Sequence, residues 1–460
     1  MMPAPTVAVA GAAGFVGRPL VDVLARRLPV IALSRAPRPA ADGVAWRRAD
    51  LLSYREAHAA LAGADLAVYL VHSMMPADRL VQGRFEDLDL QAADNFARAC
   101  AAHGVRQIVY LGGILPAGDP AHLSAHLRSR VEVERALADY GTPVTVLRAG
   151  LVLGRGGSSM ELLLRTVKRL PVMICPSWTS TPAQPIALAD VIALLDWVLD
   201  RPETFGETYD VAGPEVCSYR ALMLAAAAEL GRHPLTIPVP VLTPTLSRLW
   251  VSLVTGAPRA LVAPLIESLA HPMLARDRRL QTRAGVPGVS IAAALHTALA
   301  GGAPPEPRAF RAGTDASALP MVRSVQRLPV AGADMRAVAA EYVRWLGARF
   351  QPIVRTEGDA GTCWSARLGS PSGALLLRFE ADAAVSAADR VVYSITGGRL
   401  ADARSVGRFE FRAVLGGSAV LCSVHGFAPR LAWPIYLATQ APLHLFVMRA
   451  FGRHLARRGA

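Results

Sequence analysis

The strongest constraint on this chain's fold lies close to its start. Thr6 to Ala10 is a short apolar run that reads as a strand. Gly11, Gly14 and Gly17 follow at intervals of three, and Phe15, Val16, Leu20, Val23, Leu24 and Leu28 then recur at helical spacing. A strand, a glycine turn and a helix in that order build a cradle for an anion. Glycine lets the backbone turn tightly and approach a ligand without a side chain in the way. The start of the helix adds unpaired N–H groups and the positive end of its dipole. That placement makes the glycines far more specific than an isolated triplet. Pro19 requires the helix to begin near Phe15, so that its missing N–H falls in the first turn.

Strand-like and helix-like runs keep alternating beyond this point. Pro29–Ser34, Val44–Arg48, Ala64–His72, Gln107–Leu111 and Pro143–Leu147 read as strands, while Asp87–His103 has helical periodicity. That alternation predicts an α/β architecture, a doubly wound parallel sheet of the Rossmann type. Ser34 and Arg35 stand at the end of the second strand, with Arg38 close behind. A carboxylate there suits the ribose 2′-hydroxyl of NAD(H), whereas a guanidinium suits the 2′-phosphate of NADP(H). No acid occupies the position, so NADP(H) is expected in preference to NAD(H).

The Gly-x-x-Gly-x-x-Gly spacing resembles the extended and atypical short-chain dehydrogenase/reductase superfamily, in particular its NmrA-like and epimerase-like members. Gln184–Val191 and Tyr209–Glu215 resemble later stretches of the same superfamily, so the likeness covers residues 6 to about 245. The resemblance implies that Gly11, Gly14, Phe15, Val16 and Gly17 hold the cofactor from the loop. It implies that Asp50 and Leu51 lie beside the adenine, and that Val71, His72 and Ser73 line the cofactor from the fourth strand. Gly112, Arg130 and Ala149 complete the cofactor set.

Many members carry a serine at the fifth strand end and a Tyr-x-x-x-Lys pair on the next helix. Here Gly112–Gly113 stands at the serine position, His126 at the tyrosine and Arg130 at the lysine. A histidine, with an ordinary pKa of about 6.5, can donate a proton, and an arginine can hold a ribose. Ser124, His122 and Arg128 are local alternatives. Two readings follow: an NADP(H)-dependent oxidoreductase acting on a lipophilic carbonyl or quinone, or a non-catalytic NADP(H)-binding sensor or accessory protein.

A length of 460 residues favours two domains. Residues 1–300 are expected to form the NAD(P)-binding domain with a small substrate lobe. The Gly-Gly-Ala-Pro-Pro-Glu-Pro stretch opens a linker over 301–320, and 321–460 form a second domain. Alternating runs at 322–328, 364–368, 374–381, 390–396, 407–415 and 418–425 predict an antiparallel meander, closed by a helical stretch from Leu431 to Arg458. This order resembles the α+β helix-grip folds that enclose greasy ligands, and the uncharacterised domain appended to atypical short-chain reductases in bacteria. An unknown lipophilic small molecule is therefore an expected partner. Leu431–Met448 carries no formal charge, but Pro434 and Pro442 interrupt it. Leu443, Phe446, Val447, Ala450, Phe451 and Leu455 share one helical face, which predicts burial against the meander. Peripheral contact with a membrane surface is the alternative.

The net charge is +13, and only Lys168 among the 49 basic residues is a lysine. The arginines are scattered and not interleaved with aromatics, so no nucleic-acid partner is expected. His425, Arg408 and Glu410 show no metal spacing. The five cysteines are far apart and form no Cys-x-x-Cys pair, which reads as free thiols in a reducing compartment. The N-terminal residues have no leader-like apolar core. The expected location is the cytoplasm, with the inner face of a membrane kept open by a mean hydropathy of +0.31.

Overall fold

The computed structural model describes residues 4–39, 42–72, 80–118, 123–239, 256, 267–300, 319, 321–370 and 372–458. Ser73, His122, the run 244–254 and all of 301–320 except residue 319 lie outside the described residues. The chain forms two compact units. The first takes in 1–74 and 95–311, the second 75–94 and 312–460. The segment 75–94, read from sequence as part of the first domain, thus belongs to the second unit.

The first unit is built on seven strands: β1 (Val7–Ala10), β2 (Val30–Ser34), β3 (Val44–Arg48), β4 (Leu66–Tyr69), β5 (Gln107–Gly113), β6 (Val144–Ala149) and β7 (Thr208–Val211). They lie in the order β7-β6-β5-β4-β1-β2-β3, every pair parallel. β1 and β4 are buried along their whole length, because crossover helices cover both faces of such a sheet. Each buried Val or Leu contributes about 1.5–3 kcal/mol. The strand order reverses between β1 and β4, and ligands of such sheets bind beyond the carboxyl ends of the strands at that switch point. Helix α1 (Gly17–Leu24) begins two residues later than the proline required, yet Pro19 still falls in its first turn. Helices α2 (Tyr54–Ala60), α3 (Phe85–Ala102) and α4 (Ala125–Ala138) follow, with α3 divided between the units at 94/95.

The second unit holds β8 (Val322–Leu328), α5 (Met335–Phe350), β9 (Val354–Asp359), β10 (Cys363–Leu368), β11 (Leu375–Ala381), β12 (Arg390–Gly397), β13 (Gly407–Val414) and β14 (Ala419–Phe427). The strands run in the order β9-β10-β11-β12-β13-β14-β8, antiparallel throughout, and Leu80–Gln82 adds a parallel strand beside β8. Two helices, α6 (Trp433–Ala438) and α7 (Gln440–Arg458), end the chain. The unit is α+β, as expected, and sheet, α5 and α7 share one core. In it Trp364 stacks on Phe379 at 4.0 Å, and Tyr342 meets Phe451 edge-on at 5.0 Å. Sequence reading did not place α5 or β9.

Side chains alternate across a strand, and β13 shows what that does. Phe409 and Phe411 face the aromatic core. Glu410 and Arg412, between and beyond them, meet the first half of α3 on the other side. Arg412, 1% exposed, pairs with Asp94 and with Glu410 at 2.5 Å. Nearby Gln91 lies 2.7 Å from His425 Nε2 and donates to Ser423 at 3.2 Å. Burial, then Arg323, Arg412 and Arg408, hold the His425 pKa well below its usual value. His425, Glu410 and Arg408 are thus structural neighbours, and no cluster of metal-ligating side chains occurs among the described residues.

The C-terminal stretch departs from the expected single face. The chain breaks at Thr439, and α7 starts at Gln440 with Pro442 in its first turn. Ala441, Met448, Phe451, Gly452 and Leu455 form its buried side, whereas Leu443 and Phe446 are 55% and 48% exposed. Among the described residues no helix is long and apolar enough to cross a membrane. None of the cysteines forms a disulfide, and burial pushes the Cys100 and Cys422 thiols up.

Candidate functional site

The parallel register lines up most of the expected site residues along one sheet edge. Ala10 pairs with Leu33 and Tyr69, Tyr69 with Tyr110, and Gly113 with Ala149. The Gly11 loop, Ser34–Arg35, Val71–His72, Gly112 and Ala149 therefore all sit at strand carboxyl ends or just past them. Gly11 has φ +82°, and a Cβ there would lie 2.9 Å from the Leu70 carbonyl oxygen. A Cβ at Gly17 would meet Gly11 O at 2.2 Å, so only glycine lets α1 begin this close to β1. Gly14 N donates to Gly11 O at 2.8 Å, which closes the turn. This is a cradle that a side chain would fill, and it fits a pyrophosphate above the start of α1.

Phe15 does not project freely from the loop. Its ring packs on the segment after β6, where a Cβ at Gly157 would come within 2.9 Å of it. Val16 caps α1 through its backbone position. Arg35 is exposed and makes no hydrogen bond or ion pair among the described residues, whereas Arg38 stacks over Trp46 at 5.2 Å. Arg48, which sequence reading passed over, is exposed and stands in register with Ser34. Only the pairing of β2 with β3 could have disclosed it. Asp50 Oδ1 accepts from Leu52 N at 3.1 Å, and buried Leu51 accepts from Asn95 Nδ2 at 2.8 Å. This fixes the turn after β3.

His72 meets His126 and Arg130 of α4 although it is more than 50 residues away in sequence. Arg130 Nη2 lies 2.7 Å from His72 Nδ1, and the His72 and His126 rings are 5.2 Å apart. A guanidinium only donates, so Nδ1 accepts, and the neutral His72 ring carries its proton on Nε2. Arg130 is 5% exposed. Gly113 lies beside it: a Cβ there would be in ordinary contact with Arg130 Cγ, at 3.6 Å. Ser124, a local alternative to His126, is occupied as the cap of α4, accepting from Leu127 N at 3.3 Å. Arg148, next to Ala149 on β6, is held by Glu134 through two hydrogen bonds of 3.0 and 2.6 Å.

Residues 11–163 match the NAD(P)H-binding family. The matched stretch covers about a third of the chain and includes the Gly11–Gly17 cradle. Its Gly11–Gly17 cradle and the switch point beside it are the parts that a nicotinamide dinucleotide needs. A 161-residue stretch is 30% identical to the auxiliary protein GraX of Staphylococcus aureus, covering 34% of this chain and 48% of that protein. The chain thus spans about half the length of the curated relative it matches. The NADPH-dependent quinone oxidoreductase QOR2 of Escherichia coli, solved with NADPH, superposes with a TM-score of 0.51 at 21% identity, over 63% of this chain and 98% of that one. The triphenylmethane reductase of Citrobacter sp., solved with NADP(H), gives 0.50 at 17% identity, over 64% and 100%. At these identities the likeness is one of fold.

Proposed function

We propose that the NAD(P)H-binding domain prefers NADP(H) and reduces a lipophilic carbonyl or quinone. The observation that carries the cofactor preference is Arg35: an exposed guanidinium without a partner among the described residues, at a strand end that holds no carboxylate. When bound, the cofactor supplies the hydride. The chain supplies a proton from His126, beside His72, and a guanidinium from Arg130 that fixes the His72 ring. Ser73, read from sequence as a further cofactor contact, belongs to the same proposal. Titrating NADPH and NADH into wild type and Arg35→Asp tests the preference. Wild type should favour NADPH by about tenfold or more, and the variant should lose about 1.5–3 kcal/mol of NADPH affinity. Equal wild-type affinities would remove the idea.

NADPH oxidation with 1,4-naphthoquinone tests the chemistry. His126→Phe should abolish turnover and leave NADPH bound. Turnover at the wild-type rate in that variant takes His126 out of the mechanism. A non-catalytic sensor or accessory role is the second reading. It is favoured by the missing Tyr-x-x-x-Lys pair and by the glycines, Gly112 and Gly113, at the serine position. It stands if no quinone or carbonyl accelerates NADPH oxidation.

The expected cytoplasmic location belongs to this reading, and so does contact with a membrane surface. The latter rests on Ile435, Leu437, Leu443 and Phe446, exposed on α6 and α7. Co-sedimentation with anionic vesicles checks it.

A further inference from the structure

The second unit contains a cavity of about 210 Å³ between its sheet and α7. Leu346, Phe379, Phe409 and Val447 are among the side chains that line it. Among the described residues, no charged side chain does. An engineered apolar cavity of ~150 Å³ takes benzene, so this one has room for a second fused ring.

Among the described residues, its polar lining is confined to Ser324, Tyr342, Tyr436, Gln440 and His444. Gln440, the first residue of α7, lines the cavity, and both its Nε2 and Oε1 are shielded from water without a hydrogen-bond partner. A primary amide that is buried and unpaired costs stability. It can both donate to and accept from one hydroxyl. One turn further on, His444 Nε2 is paired with Ser324 Oγ at 3.0 Å. The ring lines the cavity, and its burial lowers its pKa to about 4. It is therefore neutral near pH 7. Nothing in the cavity compensates a charge, and a buried uncompensated charge is strongly unfavourable.

We propose that this cavity is a binding site for an uncharged two-ring aromatic or alicyclic molecule bearing one hydroxyl, whose hydroxyl is read by the Gln440 amide. The site belongs to the second unit alone and does not rest on the dinucleotide reading.

The test is fluorescence titration of the full chain, without NADPH, using 2-naphthol, naphthalene and naphthalene-2-sulfonate. 2-Naphthol should bind saturably and about fivefold or more tighter than naphthalene. The sulfonate should show no saturable binding. Gln440→Leu should weaken 2-naphthol by about fivefold and leave naphthalene within about twofold. Val447→Trp should block both ligands. Circular dichroism reports whether it folds, and Leu377→Trp on the facing strand takes its place if it does not. Three results each overturn the proposal: no saturable binding of 2-naphthol to wild type, sulfonate binding as tight as naphthol, or naphthol binding unchanged in the filled variant. Loss of naphthol binding in Gln440→Leu together with an equal loss of naphthalene would overturn the role of the amide.

Discussion

Gly17→Ala should lower the affinity for NADPH by about a hundredfold or more, close to 2.7 kcal/mol. The added methyl would lie 2.2 Å from Gly11 O and 2.8 Å from Ala12 Cα. Both are backbone atoms, so no side chain can turn aside to make room. The remaining response is to push α1 away from β1. That moves the N–H groups at the helix start out of reach of a pyrophosphate, whose binding depends on close backbone approach. Calorimetric titration of NADPH measures the loss. Gly397→Ala serves as the control, because no atom lies within 4 Å of the Cβ position there. If Gly17→Ala binds NADPH within about threefold of wild type, the cradle is not the cofactor site.

Arg412→Met should destabilise the second unit by about 3–5 kcal/mol. Methionine fills a similar volume but leaves the carboxylates of Asp94 and Glu410 buried without their cation. Asp94 is fully buried and Glu410 nearly so. Uncompensated buried charge, rather than lost attraction, is the source of the cost. Replacing Asp94 by Asn and Glu410 by Gln in the same background should therefore recover part of it. Urea unfolding gives the magnitude, and hydrogen exchange of the β13 and β14 amides assigns it to this unit. A loss below about 1 kcal/mol would mean that the cluster behaves like an exposed ion pair. Arg201–Glu203, 3.8 Å apart and nearly half exposed, is such a pair in the same chain.

The inner strands of the first unit were legible because they are short apolar runs buried on both faces, and such runs can be recognised without knowing their neighbours, whereas β3 at the sheet edge has no buried residue. The strands β8 and β10–β14 were legible by alternation. Helix α5 was passed over although Met335, Val338, Ala339, Tyr342, Val343 and Leu346 recur at helical spacing. Within the site, the loop glycines and Arg35 could be named from spacing. The part played by Arg48 could not, because it depends on which residue of β3 pairs with Ser34. The grouping of His72 with His126 and Arg130 was only half visible. Helical spacing relates His126 to Arg130, but nothing local ties either to the end of β4.

The sequence by itself determined the glycine turn, the α/β order of the first unit and the meander of the second. These depend on backbone dihedral preferences and on periodicities of two and 3.6 residues, which act within a few positions along the chain. Only the tertiary structure decided that 75–94 belongs to the second unit, and that Asp94 neutralises an arginine 318 residues away. It alone decided that Phe446 is exposed while Gln440 lines an apolar cavity. Whether a charge or an amide is tolerated inside depends on the group that meets it there, and that partner comes from a distant part of the chain.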